Sequence, residues 1–166
     1  MSSSVYVAIP VMAVLAILQT AVWPYFTIFG LAPQLPLLIA LSWGLLRGVN
    51  EGIIWGFIGG LLLDLFSISP LGLTALSYMI AIAAVLWIQQ AISAGRFILP
   101  LLLAGLATII YLIVTLIFLR LLGILSDFDT AVTLLPLILA NAIIMLPVYW
   151  LMVGLDRATS PHRVEL

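Results

Sequence analysis

Long runs of apolar residues divide this chain into segments that suit a lipid bilayer better than water. Four such runs cover residues 5–23, 71–88, 97–122 and 131–155. About twenty apolar residues in an α-helix cross a hydrocarbon core of about 30 Å, and a helix satisfies its own backbone polar groups there. Only 7% of the residues are charged and 66% are hydrophobic, so polar side chains are too few to cover a water-soluble fold. The sequence therefore predicts an all-α polytopic membrane protein.

The stretch from 34 to 66 decides the number of spans. It contains two shorter apolar segments, 34–46 and 52–66, separated by a polar turn that carries Arg47 and Glu51. A single helix over the whole stretch would be about 48 Å long and would bury both charges, each at a cost of about 2.5–3.5 kcal/mol near the membrane centre. Two short helices are therefore predicted. The result is a six-helix transmembrane bundle in one domain, residues 1–155, and a short cytoplasmic tail, residues 156–166.

The distribution of arginines predicts the orientation, because cytoplasmic loops carry the excess of positive charge. With six spans and a cytoplasmic amino terminus, one arginine falls outside and four fall inside. The outside residue is Arg120, and the inside ones are Arg47, Arg96, Arg157 and Arg163. A five-span alternative moves the amino terminus outside and keeps the carboxyl terminus cytoplasmic. The amino terminus is what separates the two topologies.

Composition argues against several classes of function. The net charge is −1 and no lysine is present, so no basic surface is expected to bind nucleic acid. There is no cysteine, and the one histidine, His162, lies in the polar tail, so no metal site and no cofactor are expected. An intramembrane enzyme is poorly supported because the spans hold neither an acid pair nor a histidine cluster.

Three glycines at four-residue spacing form the strongest local pattern. Gly52, Gly56 and Gly60 lie on one face of a helix and expose bare backbone, which lets another helix approach closely. We call this the glycine face. It seats either another helix of the same chain or the transmembrane helix of a partner.

Asp64 follows the glycine face by four residues and stands among leucines and a phenylalanine. A carboxylate within a membrane segment is costly, which makes it a candidate for a substrate or proton role. The alternative is a structural acid whose oxygens accept hydrogen bonds from backbone amides of the turn at 67–70 or of the helix that begins at Leu71, where a helix dipole favours negative charge. The residue type and position are compatible with both.

Other polar residues have simpler interpretations. Asn141, between Pro136 and Pro147, is predicted to bond across helices or to a carbonyl freed by a proline. Arg47 and Glu51 flank the polar turn and could pair locally, which contributes little at a solvated surface.

The region around this turn resembles a known family. The resemblance rests on residues 33–75, and the size and multi-span layout agree over nearly the whole chain. The residues that carry it are Pro36, Trp43, Arg47, Gly48, Glu51, Gly52, Gly56, Gly59, Gly60, Asp64, Pro70 and Gly72. This ordered series of glycines, arginine, acids and a Pro-Leu-Gly turn is similar to the bacterial rod shape-determining protein MreD family.

The resemblance implies a non-enzymatic component of the cell-elongation machinery in the bacterial cytoplasmic membrane. It implies association with MreC, which has one transmembrane helix, and with RodA, a class B penicillin-binding transpeptidase and MreB. It also implies a fold similar to the six-helix substrate-binding subunits of energy-coupling-factor transporters. A homodimer is left open.

Together, the residues and the resemblance predict that apolar and small-residue faces bind the transmembrane helix of MreC, with the glycine face as the contact. The main alternative is the substrate-binding subunit of a vitamin-type transporter. That function needs a cavity lined by convergent polar groups, and the spans offer few beyond Gln19, Asp64 and Asn141.

Overall fold

All regular secondary structure in the described part of the chain is helical. A computed structural model describes residues 4–22, 25, 32–90, 98–123 and 135–159. Within these ranges there are six α-helices and no strand, as predicted. The helices are α1 (Ser4–Ile17, extended by a π-helical turn, Leu18–Val22), α2 (Leu35–Arg47), α3 (Val49–Phe66), α4 (Leu73–Gln89), α5 (Ile98–Leu121) and α6 (Leu135–Thr159).

The break between α2 and α3 is shorter than the predicted turn. Gly48 alone separates the two helices, with φ 105° and ψ 168°, a backbone conformation that L side chains rarely adopt. Glu51 consequently lies in the first turn of α3 and not in a loop. The prediction of two helices in this stretch is confirmed, although α3 begins three residues before the predicted residue 52.

Helix lengths differ within the bundle. Four segments of the described chain are long and apolar enough to cross a membrane: Val5–Val22, Val49–Phe66, Ile98–Leu121 and Leu135–Ala158. Helices α2 and α4 are apolar but shorter, and the 13 residues of α2 extend over about 20 Å. Six complete spans therefore stay a prediction. Helix α6 continues to Thr159, so the first residues of the predicted tail are helical, and residues 160–166 lie outside the described ranges.

Helix α2 forms the centre of the bundle. Nine consecutive residues, Pro36 to Gly44, are buried, and α2 contacts all five other helices. A helix that is apolar on every side is expected in such a central place. Helix α1 packs on α3, α3 on α4, α4 on α5, and α5 on α6, so these five helices surround α2.

The surrounding helices direct large apolar side chains outward. In α1 only a narrow stripe is buried, formed by Ala8, Met12, Ala16 and Gln19. Val14, Ile80, Ile113 and Ile143 are exposed on α1, α4, α5 and α6 respectively. Such a surface is the one that a bundle presents to lipid.

Candidate functional site

The glycine face is covered by α4 and α2 of the same chain. A Cβ atom at Gly56 would lie 2.5 Å from Cδ1 of Ile82, and one at Gly60 would lie 2.5 Å from Cα of Ala75. A Cβ atom at Gly52 would lie 2.8 Å from Cα of Gly44. The sequence allowed either a helix of the same chain or the helix of a partner at this face, and the structure shows helices of the same chain there. The glycine face therefore has no room for the helix of a partner.

The contact at Gly60 leaves the least room for adjustment, because the three nearest atoms all belong to the backbone of Thr74 and Ala75. Besides Cα of Ala75, the backbone N of Ala75 lies 2.6 Å from the position of a Cβ atom at Gly60. This approach brings the end of α3 against the first turn of α4. One helical turn further along α3, it places Asp64 beside the free amides at the start of α4.

Asp64 caps α4 from the neighbouring helix. Its Oδ2 atom accepts hydrogen bonds from the backbone N–H groups of Gly72 (2.9 Å), Thr74 (3.0 Å) and Ala75 (3.3 Å). The side chain is buried, with 2% of Asp64 exposed. These donors belong to the helix start, where the helix dipole also stabilises a negative charge. The structural alternative stated for Asp64 accounts for all of these bonds.

The turn between α3 and α4 explains the Pro-Leu-Gly part of the motif. The carbonyl of Pro70 accepts a hydrogen bond from the amide of Leu73 at 3.1 Å. Gly72 precedes α4 in the left-handed conformation, with φ 90°, which disfavours residues that have a Cβ atom. Pro70 and Gly72 therefore shape the loop that directs the α4 amides toward Asp64.

Asn141 connects three helices. Its Oδ1 atom accepts a hydrogen bond from the backbone N–H of Gln34 (2.9 Å), just before α2, and its Nδ2 atom donates to Oγ1 of Thr108 (3.0 Å) in α5. Asn141 and Thr108 are fully buried. The predicted bonding across helices is what the structure shows. Neither of these two bonds uses a backbone carbonyl freed by Pro136 or Pro147.

Two further side chains, Gln19 and Tyr78, form hydrogen bonds at the start of α2. Gln19 donates to the carbonyl of Pro33 (2.8 Å) and accepts from the amide of Leu35 (3.2 Å). The hydroxyl of Tyr78 in α4 donates to Oε1 of Gln34 at 2.7 Å. We call this set the α2 junction: Gln19, Gln34, Tyr78, Thr108 and Asn141.

The sequence interpretation missed Gln34, Tyr78 and Thr108. A signal was available for Gln34, because it stands between Pro33 and Pro36 at a helix start whose amides need acceptors. Tyr78 and Thr108 carried no local signal, since their partners come from other helices.

Arg47 and Glu51 both contact Trp43, at the opposite end of α2. The indole N–H of Trp43 donates to Oε2 of Glu51 at 2.8 Å, and the guanidinium carbon of Arg47 lies 5.2 Å from the Trp43 ring centroid, within the range of a cation–π contact. Trp55 stacks on Trp43, with ring centroids 4.8 Å apart. Arg47 also forms an ion pair with Asp156 of α6.

We call these five residues, Trp43, Arg47, Glu51, Trp55 and Asp156, the Arg47 cluster. The predicted polar turn is thus a contact between α2, α3 and α6. Asp156 was missed because it lies 109 residues from Arg47 in the sequence. Among the described residues, no three potential metal-binding side chains of the His, Cys, Asp and Glu types lie together.

Comparison with known proteins identifies the family. The family model described as rod shape-determining protein MreD matches residues 1–157. No curated protein matches, and no solved structure matches, so the likeness to energy-coupling-factor subunits stays a prediction. The match covers far more than half of the 166 residues. The chain belongs to the MreD family of rod shape-determining membrane proteins, which makes it a multi-pass protein of the bacterial inner membrane.

Proposed function

We propose that this protein is a non-enzymatic scaffold of the bacterial cell-elongation complex that binds the transmembrane helix of MreC. By holding that helix, it would position the external domain of MreC and so help control cell shape and lateral peptidoglycan synthesis. The observation that carries the proposal is that the buried polar side chains form hydrogen bonds within the bundle itself. Asp64 bonds to α4, and Asn141 bonds to Gln34 and Thr108.

Because these polar groups are bonded within the chain, the outer apolar faces of the bundle are the surfaces on which a partner would bind. Because Asp64 and the α2 junction already bond within the chain, they do not form a polar lining that awaits a small molecule. A partner within the membrane would therefore contact apolar side chains, and its affinity would come from close packing. The glycine face, which is filled by α4 and α2, is no longer part of the proposed contact.

The proposed orientation keeps both termini in the cytoplasm. The Arg47–Asp156 ion pair joins the α2–α3 turn to the end of α6, and Arg157 follows in the same helical turn. Two arginines therefore share one end of the bundle, which supports a cytoplasmic assignment for that end. RodA, a class B penicillin-binding transpeptidase and MreB are further proposed partners in the complex, and a second copy of this chain is another.

Site-specific photo-crosslinking tests the proposed contact. A photoreactive amino acid is placed at one exposed position on each of four helices: Val14, Ile80, Ile113 and Ile143. Ala81 and Ala107, which are fully buried, serve as controls. The expected result is co-purification of MreC, with crosslinks from one or two neighbouring exposed positions and none from the controls.

Two outcomes would overturn the proposal. Extraction of both proteins in a mild detergent without any association would remove MreC as a direct partner. A bound small molecule in the purified protein, released on denaturation, would favour the transporter alternative. Crosslinks from the buried controls would show that the bundle is packed differently from the structure.

A further inference from the structure

Helix α6 is weakened near its middle by a proline. Pro147 lies inside the helix and is exposed at the bundle surface. Proline has no amide N–H, so the carbonyl of Ile143, four residues earlier, lacks its usual helical donor. Such positions are where helices bend.

The two halves of α6 pack differently on either side of Pro147. Before it, four side chains are buried: Leu137, Ala140, Asn141 and Met145. Among the described side chains from 148 to 158, Met152 alone is fully buried. A Cβ atom at Gly154 would meet nothing within 4 Å. We call residues 148–159 the α6 arm, and this arm is the more loosely packed half.

The buried side chains next to the proline suit a movable contact. Met145 and Met152 have unbranched side chains that adapt to changes in the opposing surface. The sulfur of Met145 lies 3.5 Å from Oγ of Ser42 in α2. Because Met145 precedes Pro147, its contact with Ser42 stays with the fixed half of α6, and Met152 is the side chain that adapts when the second half moves.

An ion pair holds the far end of the arm. Arg47 at the end of α2 pairs with Asp156, and their side chains are 34% and 26% exposed. Arg47 is itself held by its contact with the Trp43 ring, so its charge has a defined position. Because both charges are partly exposed, another charged group can reach them.

We propose that the α6 arm is a hinged element that turns about Pro147 and is held against the α2–α3 hairpin by the Arg47–Asp156 ion pair. An acidic peptide segment that competes with Asp156 for Arg47, the more exposed member of the pair, releases the arm. Release exposes Met152, the buried side chain of the arm. The device goes beyond the proposed binding of MreC and does not depend on it.

The chain contains no cysteine, so two spin labels can be introduced without background. We choose Asn50→Cys at the start of α3 and Ala158→Cys in the arm, both at exposed positions. Distances between the labels are measured by pulsed electron paramagnetic resonance in lipid nanodiscs. In Asp156→Asn, the fraction of molecules whose two labels lie at the longer distance is expected to rise about two- to fivefold. This is the change that corresponds to the loss of a partly exposed ion pair.

Two further variants separate the hinge from the ion pair. Arg157→Gln removes a neighbouring exposed charge and is expected to leave the distances unchanged. Pro147→Ala restores the helical hydrogen bond of the Ile143 carbonyl, so adding it to Asp156→Asn should return the longer-distance fraction toward the parent value. In the parent protein, high salt should increase that fraction because it screens the ion pair.

Either of two results overturns the proposal. Identical distance distributions for the parent and Asp156→Asn, together with no response of the parent to salt, would show that the ion pair does not hold the arm. A longer-distance fraction that persists in the Pro147→Ala double variant would show that α6 does not turn at the proline.

Discussion

Both carboxylate oxygens of Asp64 lie within hydrogen-bonding distance of the backbone amide of Thr74, at 3.2 Å and 3.0 Å. An acid at the end of one helix thus serves as the cap of the next. The helix start has no side-chain cap of its own, so the bond from α3 takes that role. In a bilayer, where water is not available to satisfy the α4 amides, such a cap has more effect than at a solvated surface.

Removal of the Asp64 carboxylate is expected to destabilise the bundle. Asp64→Ala leaves the amides of Gly72, Thr74 and Ala75 without their acceptor, and we expect a loss of about 2 kcal/mol or more in the free energy of unfolding. Asp64→Asn keeps one acceptor oxygen and should lose less. Unfolding followed by circular dichroism in detergent measures the difference. Ser67→Ala, which removes an exposed hydroxyl from the same turn, is the control. Equal stability of Asp64→Ala and this control would contradict the cap.

The glycines of the bundle are expected to differ sharply in their tolerance of alanine. Gly60→Ala would force a Cβ atom into the backbone of Ala75, and we expect a cost of about 1–3 kcal/mol. Gly154→Ala meets open space and should stabilise α6 by about 0.5–1 kcal/mol. Thermal unfolding of both variants in the same detergent tests this. Similar midpoints for the two variants would mean that α3 and α4 do not approach as closely as described.

Loss of the Asn141 amide is expected to loosen the α2 junction. Asn141→Leu keeps the number of side-chain heavy atoms and the branching. It leaves the amide of Gln34 without its acceptor and removes the donor to Thr108, whose hydroxyl keeps its bond to the carbonyl of Ala104, at a cost of about 1–2 kcal/mol. Ile143→Ala, on the exposed face of the same helix, should have little effect. Protease resistance and unfolding midpoints compare the two. A larger effect of Ile143→Ala would assign stability to the outer face instead of the junction.

The two stacked tryptophans are expected to respond differently to the same substitution. Trp43→Phe removes the hydrogen bond to Glu51 and should cost about 1 kcal/mol more than Trp55→Phe. The indole N–H of Trp55 is buried and has no hydrogen-bond partner among the described residues, so its removal sacrifices no bond. The comparison is matched because both changes remove the same atoms. A greater loss for Trp55→Phe would indicate a partner for its N–H group.

Much of the fold could be predicted from the sequence, because the relevant physics acts over short segments. The scarcity of charge and the length of the apolar runs indicate membrane helices without any tertiary information. Arg47 and Glu51 correctly indicated a break between α2 and α3, since burying both charges is costly. The position of the break at Gly48 was less predictable, because Glu51 is accommodated in α3 by its bond to Trp43.

The candidate site was predictable only in part. The sequence singled out Asp64, Asn141 and the glycine face, and for Asp64 and the glycine face it offered a structural interpretation beside a functional one. It could not choose between those alternatives, because a helix face of small residues accepts a helix from the same chain or from another with similar energy. The structure packs the glycine face against α2 and α4, so the contact with MreC is now proposed for the outer faces instead.

The sequence by itself determined that this protein lies in a lipid bilayer, that it is helical, and to which family it belongs. Composition, the length of apolar runs and local motifs are all properties of contiguous residues. Only the tertiary structure decided that α2 and α4 fill the glycine face, that Tyr78 reaches Gln34, and that Arg47 pairs with Asp156. These contacts join residues 44 and 109 positions apart. No local rule connects them, because helix packing brings them together only after the bundle has formed.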